Sequence, residues 1–254
     1  MLANQRRQKI LDLIREEGSV RVSQIALMFE ISEPTVRQDL KRLEEEGLVI
    51  REHGGAFLKD IPRQVSSLSL QHTENMDKKT IIGKKAAGLI QNGESIILDS
   101  GTTVTEIAKN LSDKHDLKIV TDSLNIALLL GARYDFDIMV TGGEFKAPTL
   151  SLTGEKASAF FDDIHVSKLF LATGGLSIRG GLTYPGLSDI PVKKAMIESA
   201  DQVILVADST KIGVKSFATL GGIELIDVFV TDRGISADAR AQIESRGIEI
   251  IIAD

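Results

Sequence analysis

One segment near the amino terminus constrains the fold of this chain most strongly, because its pattern predicts two helices, a tight turn between them and a hairpin. Ser23 is suited to cap a short helix over 24–29, and Ser32 is suited to cap a longer helix that reaches Glu46. Pro34 falls in the first turn of that longer helix, where its missing amide hydrogen has no partner to lose. Glycines then punctuate two short β-forming runs, which is typical of a hairpin.

The longer helix has an apolar face and a polar face. Val36, Leu40 and Leu43 recur at i, i+4 and i+7, which predicts a buried stripe. Arginine, glutamine and lysine side chains lie opposite, and these groups donate to guanine, adenine or phosphate. With a further helix predicted over 4–17, the arrangement is that of a winged helix-turn-helix, which lays one helix in the DNA major groove. The residues expected to contact DNA are Ser32, Pro34, Thr35, Arg37, Gln38, Lys41, Arg42, Arg51 and His53.

Overall charge does not favour nucleic acid. The net charge of the chain is −6, and residues 1–58 alone carry 9 Lys and Arg against 10 Asp and Glu. Phosphate contacts must therefore depend on where individual cations are placed. The polar helix face could instead be merely solvated, and a winged helix used only for protein contacts is a second alternative.

Composition excludes several classes of site. The chain contains no cysteine, which excludes disulfides, thiol catalysis and cysteine-based zinc sites. Its four histidines do not share metal-ligand spacing, so we expect no metal and no cofactor. No apolar run approaches the ~20 residues of a membrane span, and the first residues lack the apolar core of a signal peptide. We therefore expect a cytoplasmic protein without a membrane partner.

The rest of the chain has a different organisation. After a winged-helix domain over 1–58, residues 59–73 are polar and read as a linker, and a larger domain is expected over 74–254. Apolar runs predict strands at 95–98, 118–120, 137–140, 168–172, 202–207, 227–231 and 249–252. Helices are predicted between them at 103–111, 123–130, 151–161, 190–199 and 237–246. This alternation predicts an α/β domain with a mostly parallel sheet and helices on both faces.

Small and hydroxylated residues follow five of the predicted strands. In the first such turn, Gly101 and three hydroxyl side chains precede a helix, an arrangement that binds anions. Lys211 follows the fifth strand and offers a cation for phosphate. One such turn alone is more often only a turn, but five at one sheet edge favour a ligand site. The residues expected to bind a ligand are Asp99, Ser100, Gly101, Thr102, Thr103, Thr121, Asp122, Gly142, Gly143, Gly174 and Lys211.

Motifs in both parts of the chain resemble the DeoR family of bacterial transcriptional regulators. The first motif runs from Ile31 to Leu40, and the hairpin motif is Arg-Glu-His-Gly-Gly-Ala over 51–56. Gln38 stands where the family usually has a second arginine, and Pro34 stands where a polar residue is common. Residues 99–103, 141–143, 181–183 and 207–211 resemble the effector domain of that family, which is similar to sugar-phosphate isomerases such as ribose-5-phosphate isomerase.

The resemblance implies a ligand and a function. The ligand would be a phosphorylated sugar, with its phosphate on the 100–103 turn and near Lys211. Gly174 and Pro185 occupy the positions of the isomerase acid and base, so we expect binding without turnover. The carboxylates left near the site, expected to bind sugar hydroxyls or to cap helices, are Asp99, Asp122 and Asp189.

The function implied is that of a repressor of sugar-metabolism genes. The protein would bind a double-stranded operator as a homo-oligomer, a dimer or tetramer, and the sugar phosphate would alter that binding. The alternative function is a sugar-phosphate isomerase or transferase with an accessory winged-helix domain.

Overall fold

The computed structural model describes residues 2–52, 54–58, 74–147 and 149–254. The chain divides into two compact units, one formed by residues up to 71 together with 146–149 and the other by the remainder. We call them the winged-helix unit and the α/β unit. The linker predicted over 59–73 lies outside the described residues, so the predicted domain limits, 1–58 and 74–254, stay predictions.

The winged-helix unit contains the elements that the sequence predicts, in the predicted order. They are α1 (Ala3–Glu17), β1 (Ser19–Arg21), α2 (Val22–Phe29), α3 (Glu33–Glu45), β2 (Val49–Glu52) and β3 (Gly55–Leu58). In the described part of this unit, the antiparallel strands have the order β1-β3-β2. The predicted stripe of α3 is buried together with Ile10, Ile14 and Ile25. Helix packing against the small sheet thus builds a separate core for this unit.

The predicted start of α2 is wrong. The helix begins at Val22, so Ser23 lies inside its first turn and does not cap it. The amide of Val22 instead donates to the carbonyl of Gly54 at 2.8 Å, and the Val22 side chain is buried. Pairing of β1 with β3 holds the chain there, so tertiary contacts set this helix end in place of a side-chain cap.

The α/β unit has more elements than predicted. Its helices are α4 (Met76–Ala87), α5 (Thr102–Lys109), α6 (Leu124–Leu130), α7 (Glu155–Ala159), α8 (Ile190–Glu198) and α9 (Ala237–Glu244). Its strands are β4 (Ser95–Leu98), β5 (Leu117–Thr121), β6 (Phe136–Val140), β7 (Glu144–Lys146), β8 (Ser151–Thr153), β9 (Val166–Leu171), β10 (Gly175–Ser177), β11 (Gly181–Tyr184), β12 (Ala200–Val206), β13 (Ala218–Gly221), β14 (Val228–Asp232) and β15 (Glu249–Ala253). A 3₁₀ turn over Ser209–Lys211 follows β12.

The main sheet confirms the predicted parallel α/β fold. Within the described residues it has seven strands in the order β15-β14-β12-β9-β4-β5-β6, and its pairings are parallel. Side chains alternate between the two faces: Ile96 and Leu98 pack with α4, α5 and α6, whereas Ile97 packs with α7, α8 and α9. Both faces are therefore covered, as the continuous apolar runs of the strands require.

Two features differ from the prediction. The helix predicted over 151–161 is wrong in its first part, because residues 151–153 form β8 and pair with β7. The amide of Leu152 donates to the carbonyl of Asp122 at 2.8 Å, which anchors β8 beside the main sheet. A separate antiparallel sheet, β10-β11-β13, was not predicted, because its strands are short and are separated by turn residues.

The strand order creates one crevice where a ligand is expected. From β4 the chain proceeds to β5 on one side, whereas from β9 it proceeds to β12 on the other side. The carboxyl ends of β4 and β9 are therefore the switch point, which is where open parallel sheets bind ligands. Across the part of the chain that the structure describes, no helix combines the length and apolar character needed to cross a membrane.

Candidate DNA-contacting helix and effector site

The polar face of α3 is exposed, as predicted. Pro34, Arg37, Gln38, Lys41 and Arg42 are exposed, whereas the stripe on the opposite side is buried. A face of this kind, with arginine, glutamine and lysine side chains along one helix, suits the major groove.

Two of the predicted DNA-contacting residues also build the start of α3. Ser32 Oγ accepts a hydrogen bond from the amide of Thr35 at 3.4 Å and lies 2.9 Å from Thr35 Oγ1. Ser32 is therefore the N-cap that the sequence predicts. In the turn before it, Glu30 adopts the left-handed conformation with φ 53°.

The cations of this surface lie beside carboxylates. Arg37 Nη2 is 2.6 Å from Glu33 Oε2, and Arg42 Nη1 is 3.1 Å from Glu45 Oε2. In the wing, Arg51 Nη1 is 3.6 Å from Glu44 Oε2. Ion pairs at such exposed positions contribute little to stability, about 0–1 kcal/mol, so phosphates could replace the carboxylates at low cost. His53, the other wing residue predicted to contact DNA, lies outside the described residues.

A buried ion pair joins α1 to α3, and the sequence analysis missed it. Asp39 is 2% exposed, and its two oxygens accept from Arg6 Nε at 2.6 Å and Arg6 Nη2 at 3.2 Å. The hydrogen bond to Asp39 raises the pKa of Arg6, so the Arg6 guanidinium stays protonated. Because Asp39 points away from Arg37 and Gln38, the pair orients α3 without using its exposed face. The indication available in the sequence was that Asp39 belongs to the motif from Ile31 to Leu40 that resembles the DeoR family.

In the α/β unit, the five predicted turns lie at the same edge of the main sheet. Because the strands are parallel, the ends of β4, β5, β6, β9 and β12 all face that edge. The turn after β4 lies at the switch point, and Gly174 follows β9 beside it. Gly142 and Gly143 are exposed and follow β6, the outer strand of the sheet. The predicted residues thus share an edge but spread along it.

A buried cation–carboxylate pair occupies the switch point. Lys193 Nζ, from α8, lies 2.6 Å and 2.7 Å from the two carboxylate oxygens of Asp99, which is fully buried. The amide of Ala172 donates to Asp99 Oδ2 at 2.9 Å. Asp99 faces α8 because it continues the alternation that places Ile97 on that face. Although burial opposes its charge, the carboxylate of Asp99 raises the pKa of Lys193. Asp99 was predicted from the sequence, whereas Lys193 was not.

Asp122 lies near the ion pair of Asp99 and Lys193, and its carboxyl group is protonated. It is 1% exposed, and Ser100 Oγ donates to its Oδ2 at 3.1 Å. Its Oδ1 atom has no hydrogen-bond partner among the described residues. Burial, reinforced by the negative charges of Asp99 and Asp189, raises the pKa of Asp122 to about 8. Asp122 is therefore a neutral acid at neutral pH that can still donate or accept a hydrogen bond.

A second group of polar residues lies at the 3₁₀ turn that ends at Lys211. Lys78 Nζ, on α4, donates to Ser209 Oγ at 3.1 Å, and Asn75 Nδ2 donates to Thr210 Oγ1 at 3.4 Å. The first turn of α4 thus lies against the 3₁₀ turn that ends at Lys211. Burial and the nearby charge of Lys211 lower the pKa of Lys79, which is 6% exposed. The carboxylates of Asp208, Glu74 and Glu106 act in the opposite direction, so this region holds both lysines and acids. The sequence analysis missed Lys79, which stands in a Lys-Lys pair at the start of a helix.

Other residues predicted to bind the ligand also make contacts that stabilise the fold. Thr121 Oγ1 donates to the carbonyl of Leu98 at 2.6 Å and accepts from the amide of Ser123 at 3.0 Å. Gly101 has φ 142°, and a side chain there would come within 3.1 Å of Ala172 Cβ, across the crevice. Thr102 and Thr103 begin α5, with Thr103 buried. No group of three histidine or acidic residues able to hold a metal occurs in the described residues.

The chain is similar to proteins of known class along its whole length. The model of a DeoR-like helix-turn-helix domain matches residues 6–61, and that of the DeoR C terminal sensor domain matches 74–233. The HTH-type transcriptional regulator GlpR of Haloferax volcanii is 32% identical, over 99% of this chain and 98% of that protein. The glycerol-3-phosphate regulon repressor of Escherichia coli K12 is 31% identical, over 91% of this chain and 92% of that protein. The crystal structure of ribose 5 phosphate isomerase A from Neisseria gonorrhoeae matches 54% of this chain and 53% of that chain, at 18% identity and a TM-score of 0.39.

Proposed function

Because the chain belongs to the DeoR family of transcriptional regulators, we propose that it represses genes of sugar or sugar-phosphate metabolism under the control of a phosphorylated sugar. These relatives are named transcriptional regulators or repressors, and the matches cover 92% to 98% of their length. The protein is therefore a DNA-binding regulator and not an enzyme. Two of those relatives are named repressors, one of them of a glycerol-3-phosphate regulon. A regulator of bacterial type meets its DNA in the cytoplasm, which is where we place this protein.

The single observation that carries the ligand class is the pairing of two kinds of polar group at one sheet edge. Lys79 is buried and close enough to Lys211 for the charge of Lys211 to lower its pKa, and a bound phosphate dianion would relieve that repulsion. Along the same edge, Asp122 keeps one oxygen without a partner among the described residues. A phosphorylated sugar has both complements, a dianionic phosphate and several hydroxyls. An unphosphorylated sugar would not relieve the repulsion between the two lysines.

The DNA-contacting role is assigned to the exposed face of α3. Ser32, Pro34, Thr35, Arg37, Gln38, Lys41 and Arg42 would face the major groove, with Arg51 and His53 on the adjoining backbone. A single winged helix contacts few base pairs, so a homo-oligomer that places two copies on two half-sites is required for a specific operator. We propose a dimer or tetramer for that reason.

The coupling between ligand and DNA is a free-energy difference between two states of the protein. A coupling of about 1–3 kcal/mol would change operator affinity about 5- to 150-fold. The same factor must apply in reverse, so bound operator would change the affinity for the sugar phosphate equally.

The test uses the full-length protein and a duplex enriched from a random-sequence library by binding. Fluorescence anisotropy at fixed salt is measured while a panel of pentose, hexose and triol phosphates is added, with inorganic phosphate and the unphosphorylated sugars as controls. We expect at least one phosphate ester to shift the DNA affinity at least about fivefold. No shift with any ester would contradict the proposal.

Variants separate the two parts of the function. Lys211→Ala should abolish the response to the ester and spare DNA binding, whereas Arg37→Ala should weaken DNA binding and spare ligand binding measured by calorimetry. Lys215→Ala is the matched control, because Lys215 is an exposed lysine four residues from Lys211. Equal behaviour of Lys211→Ala and Lys215→Ala would remove Lys211 from the site.

A further inference from the structure

Glu33 is the first residue of α3, and its carboxylate contacts the guanidinium of Arg37, with 2.6 Å between Oε2 and Nη2. We propose that Glu33 determines sequence specificity: with Arg37 it recognises one G·C base pair, Arg37 binding the guanine and Glu33 accepting from the cytosine amine. This inference rests on the proposed placement of α3 in the major groove. The amino-terminal residues of such a helix are the ones that meet base edges.

The chemistry of the pair matches one base pair. In the major groove, guanine presents the acceptors N7 and O6, and cytosine presents the N4 amine as a donor. The contact between Arg37 and Glu33 uses Nη2 and Oε2, so it leaves Nε, Nη1 and Oε1 outside it. Nη2 carries two hydrogens and can hold the carboxylate with one while it donates to guanine with the other. The pair therefore presents donors beside an acceptor, the complement of G·C.

The same pair discriminates against other bases. Next to an A·T pair, the carboxylate of Glu33 would face the O4 acceptor or the methyl group of thymine, neither of which donates a hydrogen bond. A desolvated carboxylate without a hydrogen-bond donor costs free energy. An A·T pair at this position therefore weakens binding by more than the loss of one favourable contact. Glu33 also lowers the attraction to phosphates in general, which weakens binding to unrelated DNA.

The position of Glu33 distinguishes it from the other acids of α3. Its side chain is 45% exposed and that of Arg37 is 54% exposed, so both can reach a ligand. Glu45 also contacts a cation of α3, Arg42, but it lies at the opposite end of the helix, where it is 49% exposed. As plain surface ion pairs the two would behave alike. As a base-contacting residue only Glu33 should affect sequence preference, which makes Glu45 the matched control.

The experiment compares the full-length wild type with Glu33→Gln, Glu33→Asp and Glu45→Gln. Each protein is used to select duplexes from one random-sequence library, and affinities are then measured for the wild-type consensus and for its single base-pair replacements at fixed salt. Circular dichroism verifies folding; because Glu33 is exposed, we expect unaltered spectra.

We expect wild type to prefer one G·C pair at least fivefold over its replacements, and Glu33→Gln to lose that preference at this pair alone. Glu33→Gln and Glu45→Gln should both bind random duplex more tightly, with steeper salt dependence, because each lacks one negative charge. Glu45→Gln should keep the wild-type preference at every position, and Glu33→Asp should keep part of the preference at the G·C pair.

Identical profiles for Glu33→Gln and Glu45→Gln would overturn the inference and leave the proposed function intact. If the wild type enriches no sequence at all, the proposed function itself fails. These two failures are therefore distinguishable in one experiment.

Discussion

Lys193 and Asp99 form a buried ion pair between α8 and the end of β4, with Nζ 2.6 Å and 2.7 Å from the two carboxylate oxygens. The two side chains are 5% and 0% exposed. The Nζ atom also lies 5.0 Å from the centre of the Tyr184 ring, and the Tyr184 hydroxyl donates to the carbonyl of Ala172. This ion pair therefore connects α8, on one face of the sheet, to the carboxyl end of β4 at the switch point.

Removing one partner of this pair should be strongly destabilising. Lys193→Met leaves the Asp99 carboxylate buried without its counter-charge, and we expect the free energy of unfolding of the α/β unit to fall by about 3–5 kcal/mol. Urea unfolding measures it. The double variant Asp99→Asn/Lys193→Met removes both charges and should recover most of the loss. A double variant as unstable as the single one would mean that packing, and not charge, is responsible.

Stability should depend on pH through Asp122. Its pKa is raised to about 8 in the folded protein, against about 3.9 for an unfolded aspartate. Between those values the folded state keeps a proton that the unfolded state releases. The contribution of Asp122 is therefore complete below pH ~4 and is lost as the pH rises to about 8, at up to ~1.4 kcal/mol per pH unit.

Chemical unfolding at several pH values tests this dependence. Asp122→Asn, which cannot ionise, should gain stability over wild type as the pH rises from 5 to 8. Asp137→Asn is the control, since Asp137 is an exposed aspartate in β6. Parallel pH profiles for wild type and Asp122→Asn would show that Asp122 ionises normally.

The ion pair between Arg6 and Asp39 should matter for the winged-helix unit. Arg6→Met leaves a carboxylate that is 2% exposed without its principal partner, and we expect a loss of about 1–3 kcal/mol. Arg6→Lys should retain only part of the stability that Arg6→Met loses, because an ammonium group cannot reproduce two guanidinium contacts. Hydrogen exchange of the α1 and α3 amides locates the effect in this unit. Arg15→Met, at a partly exposed pair with Asp12, should have little effect.

A substitution in the turn between α2 and α3 should increase the stability of the winged-helix unit. Glu30 has φ 53° and ψ 45°, a conformation that costs about 1–2 kcal/mol for a residue with a side chain. Glu30→Gly should therefore stabilise the unit by about 0.5–1 kcal/mol, net of the entropy that glycine adds to the unfolded chain. Thermal unfolding measures the gain. Glu46→Gly is the contrast, because Glu46 has an ordinary right-handed conformation and the change there should destabilise.

Local patterns predicted much of the fold. The i, i+4, i+7 stripe of α3 and the Ser32 cap are confirmed, because helix faces and caps depend on residues a few positions apart. The seven strands of the main sheet are confirmed because each contains a short apolar run, and the central strands are buried on both faces. The cap predicted at Ser23 was wrong because α2 already begins at Val22, whose amide donates to the carbonyl of Gly54. The first part of the helix predicted over 151–161 was wrong because residues 151–153 pair with β7 and the amide of Leu152 donates to the carbonyl of Asp122.

For the candidate site, the sequence by itself determined which turns end the parallel strands and so which residues share the sheet edge that we propose binds the ligand. It also determined the polar face of α3. Only the tertiary structure decided that Lys193 pairs with Asp99, 94 positions away, that Asp39 turns inward to Arg6, and that Lys79 lies near Lys211. Charge pairing of this kind depends on distances between side chains that the fold brings together, and no local pattern encodes those distances.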